Sequence, residues 1–452
     1  MLEAPADTVY CESMSFIGFL KQRRVWISVL AVLLAAGGAY YLQTSRVEET
    51  TFKTSEEKDI YVRFEMEAYD SIQANYWKKL EDADLAQHFQ LSLAKAKNLA
   101  VPPVLATNDR AGTAKMLADA FNAATSTDAR KQLAENTLII ATYNLLPAGR
   151  NGLYSAQQET AMRQEVANIN PSVDLYGDLG LAKGAGPAEI ENAYKEKQAV
   201  LAKATTTEAK AELERIAYAH KVLADTDDKS RYDEDRVEPT TFARVIGRTL
   251  YISMSKISPT TLQEFGRAID NASTTPSLAS MILDFRGNIG GSLDFAAYFF
   301  GLFIGQNQYA FDFYKQGDYL PQRTAIGKFD ELSRYKEIAI LTDEMTQSTA
   351  EVIAAMFKRF NLARVVGVPT RGWGTVENTF PLETVIDSNE KYSLFLVRYL
   401  TLRDDGQPIE GAGVDPDVNT GDRNWRSKLG EYFHSPSLIS AISQTAGVPP
   451  LR

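Results

Sequence analysis

Residues 280–294 read SMILDFRGNIGGSLD, and residues 341–357 read LTDEMTQSTAEVIAAMF. In each, a short apolar run suited to a buried strand ends in a turn. The first turn is Arg286-Gly287-Asn288-Ile289-Gly290-Gly291. Glycines just past a strand let backbone approach a ligand closely and present free N–H groups. The second turn leads into a helix starting near Ser348. A serine there can point its hydroxyl into a cleft whose amides favour negative charge, which is what an acyl-transfer nucleophile and its oxyanion site require. Ser348 with Glu351 three residues on also has the form of a capping box, so the local pattern alone leaves both roles open. Outward from these turns, strand-like and helix-like runs alternate over 240–420, from VIGRTLYISMS through PTTLQEFGRAIDNA, EIAILTDE and ARVVGVP to the β-rich YSLFLVRYLTL. That alternation predicts an α/β layer structure.

Upstream, residues 46–172 read as helical. IYVRFEMEAYDSIQANYWKKL repeats apolar residues at three- and four-residue spacing, and a second helical pattern runs from Ala114 to Leu146 before Pro147. Residues 173–236 give a short helix, a Gly/Pro loop, a helix from about Pro187, a further helix in ELERIAYAHKVLAD, and then SRYDE. Residues 421–452 form a C-terminal tail.

Val25–Ser45 carries no charge and approaches the roughly 20 residues that span a bilayer as helix. Lys21, Arg23 and Arg24 precede it, so residues 1–24 are expected on the cytoplasmic side and the bulk of the chain outside. The expected location is the bacterial inner membrane as a single-pass protein, with the bulk periplasmic or extracytoplasmic. Gly37-Gly38-Ala39 leaves a cleaved signal peptide as the alternative.

The net charge of −10 excludes a generally basic nucleic-acid binder. The lone Cys11 and the scattered His88, His220 and His434 argue against a disulfide framework or a Cys/His metal site. GNIGG is not a dinucleotide fingerprint. No cofactor or metal is expected.

The order LDFRGNIGG, STAEVIAAMFKRFNLARVVGVPTRGWGTVE and GVDPD resembles the C-terminal processing peptidases, or tail-specific serine proteases. The resemblance covers 240–420 and extends weakly to EAYDSIQANYWKKL. It implies a ClpP/crotonase-like α/β protease core, with unstructured protein C-termini as ligands. It places the nucleophile on Ser348 and the oxyanion amides on Gly291 and Thr349. The general-base lysine of the family falls on Trp373 and its glutamine on Glu377. Residues 173–236 resemble a J-domain of the DnaJ type, through Tyr176, Leu179-Gly180, Ile190, Ala193-Tyr194, Leu223 and Arg231-Tyr232-Asp233, in the slot where the protease family carries a PDZ domain. The family's His-Pro-Asp loop is replaced by Ala202-Lys203-Ala204, so coupling to a DnaK-type chaperone is not expected.

The exchange at Trp373 decides the functional expectation. A serine hydroxyl needs a neighbouring base, and indole has no accepting side-chain atom. Arg371 stays protonated. Lys358, ten residues along the helix from Ser348, lies roughly 15 Å down its axis. The expectation is a membrane-anchored, peptide-binding pseudoprotease. The alternatives are an active serine peptidase with Glu377 as substitute base, and a J-like adaptor for which the core is a platform.

Overall fold

The computed structural model describes residues 52–203 and 206–451. The expected cytoplasmic segment 1–24 and membrane anchor 25–45 lie outside the described residues. Among those that are described, no helix is long and apolar enough to cross a membrane. Glu56–Arg452 forms one unit by its contacts.

Four helices come first: α1 (Ile60–Asn75), α2 (Asp82–Ala96), α3 (Arg110–Asn122) and α4 (Thr127–Tyr143). Asp59 starts α1 by accepting the N–H groups of Tyr61 and Val62, and Ser126 starts α4 by accepting that of Ala129. The expected continuous pattern from Ala114 to Leu146 is therefore two helices, with the Ser126 cap opening the second. Part of 46–172 is also not helical. Gly152–Ser155 forms strand β1, which pairs antiparallel with a strand far along the chain, Leu153 opposite Leu394. A capping box at Ser155 and Gln158 then starts α5 (Ala156–Val166).

Residues 173–236 contain α6 (Leu175–Leu179), α7 (Pro187–Leu201), α8 (Thr207–Ala224) and α9 (Thr226–Asp235). They enclose a small core with Tyr176, Ile190, Ile216, Leu223 and Tyr232. The Tyr176 hydroxyl donates to Asp233 at 2.9 Å.

The rest is α/β. Strands β2 (Thr241–Ile246) and β3 (Thr249–Met254) form a hairpin, followed by α10 (Thr261–Ala272), β4 (Ser280–Asp284) and α11 (Asp294–Ile304). Then come β5 (Tyr309–Lys315), β6 (Asp318–Arg323), β7 (Glu337–Thr342), α12 (Thr349–Arg359), β8 (Arg364–Gly367), β9 (Thr375–Pro381), β10 (Tyr392–Thr401) and β11 (Val418–Asn419). The chain closes with α13 (Trp425–Tyr432) and α14 (Pro436–Thr445). One sheet runs β11-β8-β7-β4-β3-β2, and every pairing in it except β2–β3 is parallel. The second runs β1-β10-β5-β6, with β9 also on β10. Helices α13 and α14 pack Trp425, Leu429, Leu438 and Ile442 against Tyr251, Ile282 and Leu341 of the first sheet. Arg267 on α10 reaches Asp225 at 3.1 Å and Asp228 at 2.6 Å, tying the four-helix segment to the α/β layers.

One core group is costly. Glu65 on α1 is fully buried, and neither carboxylate oxygen has a hydrogen-bond partner among the described residues. Burial holds its carboxyl well above the usual range. Its folded-state pKa is thus raised above the unfolded value. The stability linked to its protonation is fully present below about pH 4.3 and is lost as pH rises through the folded pKa. Glu65→Met is expected to raise stability at pH 7 by about 1 kcal/mol or more. The gain should shrink as pH falls, leaving the smaller cost of the unpartnered neutral carboxyl. Denaturant titrations of both proteins across pH check this, and a gain that does not change with pH contradicts it.

Candidate active site

Parallel neighbours β4 and β7 end side by side, so the turns that follow them meet at one edge of the sheet. Asp343 binds them together, its Oδ1 accepting the N–H of Gly287 at 2.9 Å and that of Thr346 at 2.9 Å. Gln347 N–H donates to the Asn288 carbonyl at 2.9 Å. Gly290 backs directly onto Ser348, because a Cβ there would lie 2.5 Å from the serine Cβ. At Gly291 (φ +145°) a Cβ would meet the Ile257 carbonyl oxygen at 1.8 Å.

Ser348 precedes α12 with φ 57° and ψ −128°, a backbone conformation rare for a residue with a side chain. The expected capping box is only half formed. Glu351 accepts the Ser348 N–H at 2.8 Å, but the Ser348 hydroxyl caps nothing and has no hydrogen-bond partner among the described residues. It faces a cleft of about 290 Å³. Gly291 and Thr349 line the same cleft, and neither backbone N–H donates to a protein acceptor among the described residues.

Glu351 is the link to the third element. Its buried carboxylate accepts four donors: Ser348 N–H and Trp373 N–H on Oε2, each at 2.8 Å, and Gly372 N–H (2.7 Å) and the Thr370 hydroxyl (2.5 Å) on Oε1. Burial pushes its carboxyl up, and the four donors pull it part of the way back. One oxygen thus holds the backbone nitrogens of residues 348 and 373 within two hydrogen-bond lengths of each other. Ser348 and residue 373 border the same cleft, and the side chain at 373 is an indole.

Trp373 lines the cleft. Its Nε1–H donates to Glu377 Oε1 at 3.3 Å, and the Arg150 guanidinium carbon lies 3.3 Å from its ring centroid. Arg150 is anchored by Glu410 at 3.1 Å. Glu377 also lines the cleft and accepts the Thr375 hydroxyl at 2.5 Å; burial raises its carboxyl above the ordinary value. Lys358 is turned away, its ammonium donating to the Asp415 carbonyl at 2.8 Å.

All five residues picked from the sequence (Ser348, Gly291, Thr349, Trp373 and Glu377) border one cleft. Sequence reasoning missed Arg150, and it missed Met162 and Val166 of α5, which form a wall of the cleft. These come from the stretch read as a helical spacer. No local pattern marks them, because only the β1–β10 pairing brings that stretch here. No group of acidic, His or Cys side chains suited to a metal ion occurs among the described residues.

Residues 248–420 match peptidase family S41. Over 172 residues the chain is 31% identical to a probable CtpA-like serine protease of Staphylococcus aureus (strain N315), covering 38% of this chain and 33% of that protein. Over 198 residues it is 28% identical to the carboxy-terminal processing protease CtpA of Bacillus subtilis (strain 168), covering 43% of this chain and 38% of that one. The chain thus spans about a third of the length of the curated relatives it matches. Among solved structures, the photosystem II D1 C-terminal processing protease shares 14% identity at a TM-score of 0.45, covering 87% of this chain and 98% of that one. A lipoprotein from Streptococcus agalactiae shares 13% at 0.43, covering 88% and 98%. Over 248–420, where both turns, Ser348, Trp373 and Glu377 lie, this chain carries a segment similar to the cores of C-terminal processing serine proteases of family S41.

Proposed function

We propose that this protein is a peptide-binding pseudoprotease of the C-terminal processing type, taking unstructured protein C-termini in the Ser348 cleft. One observation carries the reading: the position tied to Ser348 through Glu351 holds an indole where hydrolysis needs a proton acceptor. The free amides of Gly291 and Thr349 still suit a peptide carbonyl or carboxylate. Anchoring through residues 25–45, with the bulk of the chain extracytoplasmic, belongs to the same proposal and rests on the sequence. So does the reading of residues 173–236 as a J-like contact unit without chaperone coupling.

Full-length protein is expected to bind unstructured peptides without cleaving them, and Ser348→Ala is expected to leave product formation at the same background level. Mass spectrometry of peptides after long incubation reads this directly. Turnover that vanishes in Ser348→Ala overturns the proposal and favours the active alternative. Glu377 is the base to test in that case, because its raised carboxyl opens on the same cleft.

A further inference from the structure

Glu377 sits in the cleft among apolar neighbours that include Met162, Val352, Val376 and Phe395. Its two oxygens are treated differently. Oε1 takes both donors, the Thr375 hydroxyl and the Trp373 indole. The carboxylate is also supported by its own backbone N–H, and no other side chain among the described residues donates to Oε2. The residue itself lines the cleft. Among the described residues no lysine or arginine forms an ion pair with Glu377. Arg150, the cation that acts on it electrostatically, is held by Glu410 and by the Trp373 ring. Arg371 is exposed, where solvent screens its charge.

A carboxylate among apolar walls with no ion-pair partner of its own is expensive. An apolar ligand group pressed against Oε2 would strip its remaining water and offer nothing in return. A group with an apolar stem and a cationic, donor-bearing head would line the walls with the stem and pair the head with Oε2.

We infer that the cleft selects peptides bearing a lysine or arginine side chain, with the cationic head on Glu377 Oε2 and the methylene stem along the apolar wall. The inference rests on the reading of this cleft as a peptide site and adds to it the class of side chain taken.

The test compares three labelled, unstructured peptides on the full-length protein by fluorescence anisotropy. They are identical except at one residue, which is lysine, norleucine or acetyl-lysine. The lysine peptide is expected to bind about 10-fold tighter than the other two. In Glu377→Gln the three affinities should converge to within about 2-fold. Norleucine binding as tightly as lysine overturns the inference, as does a lysine preference that survives Glu377→Gln. Because acetylation changes only the peptide, the comparison stands even if the variant fails to fold. If none of the three peptides binds, the peptide-site reading falls as well. If all bind equally, only the present inference falls.

Discussion

Trp373→Lys is expected to turn the cleft into a working hydrolase, with cleavage of an unstructured peptide at least about 10²-fold above the wild-type background. The backbone at 373 needs no rearrangement, because Glu351 Oε2 already holds its N–H beside that of Ser348. Two charged neighbours would set the new amine's proton affinity. The Arg150 guanidinium, now stacked on the indole, would press it downward, toward the range a base needs. Glu377 would press it upward, so Glu377→Gln in the same background should speed the reaction further at neutral pH. Ser348→Ala combined with Trp373→Lys must abolish all of the gain. A folded Trp373→Lys protein that still binds peptide and does not cleave it would show that the missing amine is not the lesion.

The second large effect concerns Glu351. Glu351→Ala leaves the buried N–H of Gly372, the part-buried N–H groups of Ser348 and Trp373, and the Thr370 hydroxyl without their acceptor. At about 1 kcal/mol or more for each orphaned donor, the loss of stability should reach about 3 kcal/mol. It should also free the Arg371–Gly374 loop from Ser348. Denaturant unfolding measures the first consequence. Faster hydrogen exchange at the Gly372 and Trp373 amides measures the second. Wild-type exchange at those two amides would refute the bridging role even if overall stability fell.

The two turns were readable in the sequence because their signals are local: an apolar strand, then glycines or a serine at a helix start. The parallel pairing of β4 with β7 follows from the α/β alternation, and it is what makes the turns neighbours. The position of Trp373 came only from resemblance, since nothing within RGWG marks it as facing Ser348. Arg150 and Met162 were illegible for a different reason. They reach the cleft through the pairing of β1 with β10, a contact between segments far apart in the chain. GLYS is too short and too mixed to signal such a strand. The Ser126 break was hidden because apolar spacing continues on both sides of it. At Ser348 the local capping rule fails in an informative way. The residue bears a strained backbone and leaves its hydroxyl open to the cleft instead of sealing the helix end.

The stacking of Arg150 on Trp373 also gives the molecule a built-in optical gauge. Of its four tryptophans, one stands in the cleft wall between a guanidinium and a carboxylate, and indole emission responds to charges placed that close to the ring. Anything entering the cleft must alter that surrounding, so occupancy can be followed from the unlabelled chain by the colour and intensity of its own light. Trp77 and Trp425 are packed elsewhere and contribute a steady background.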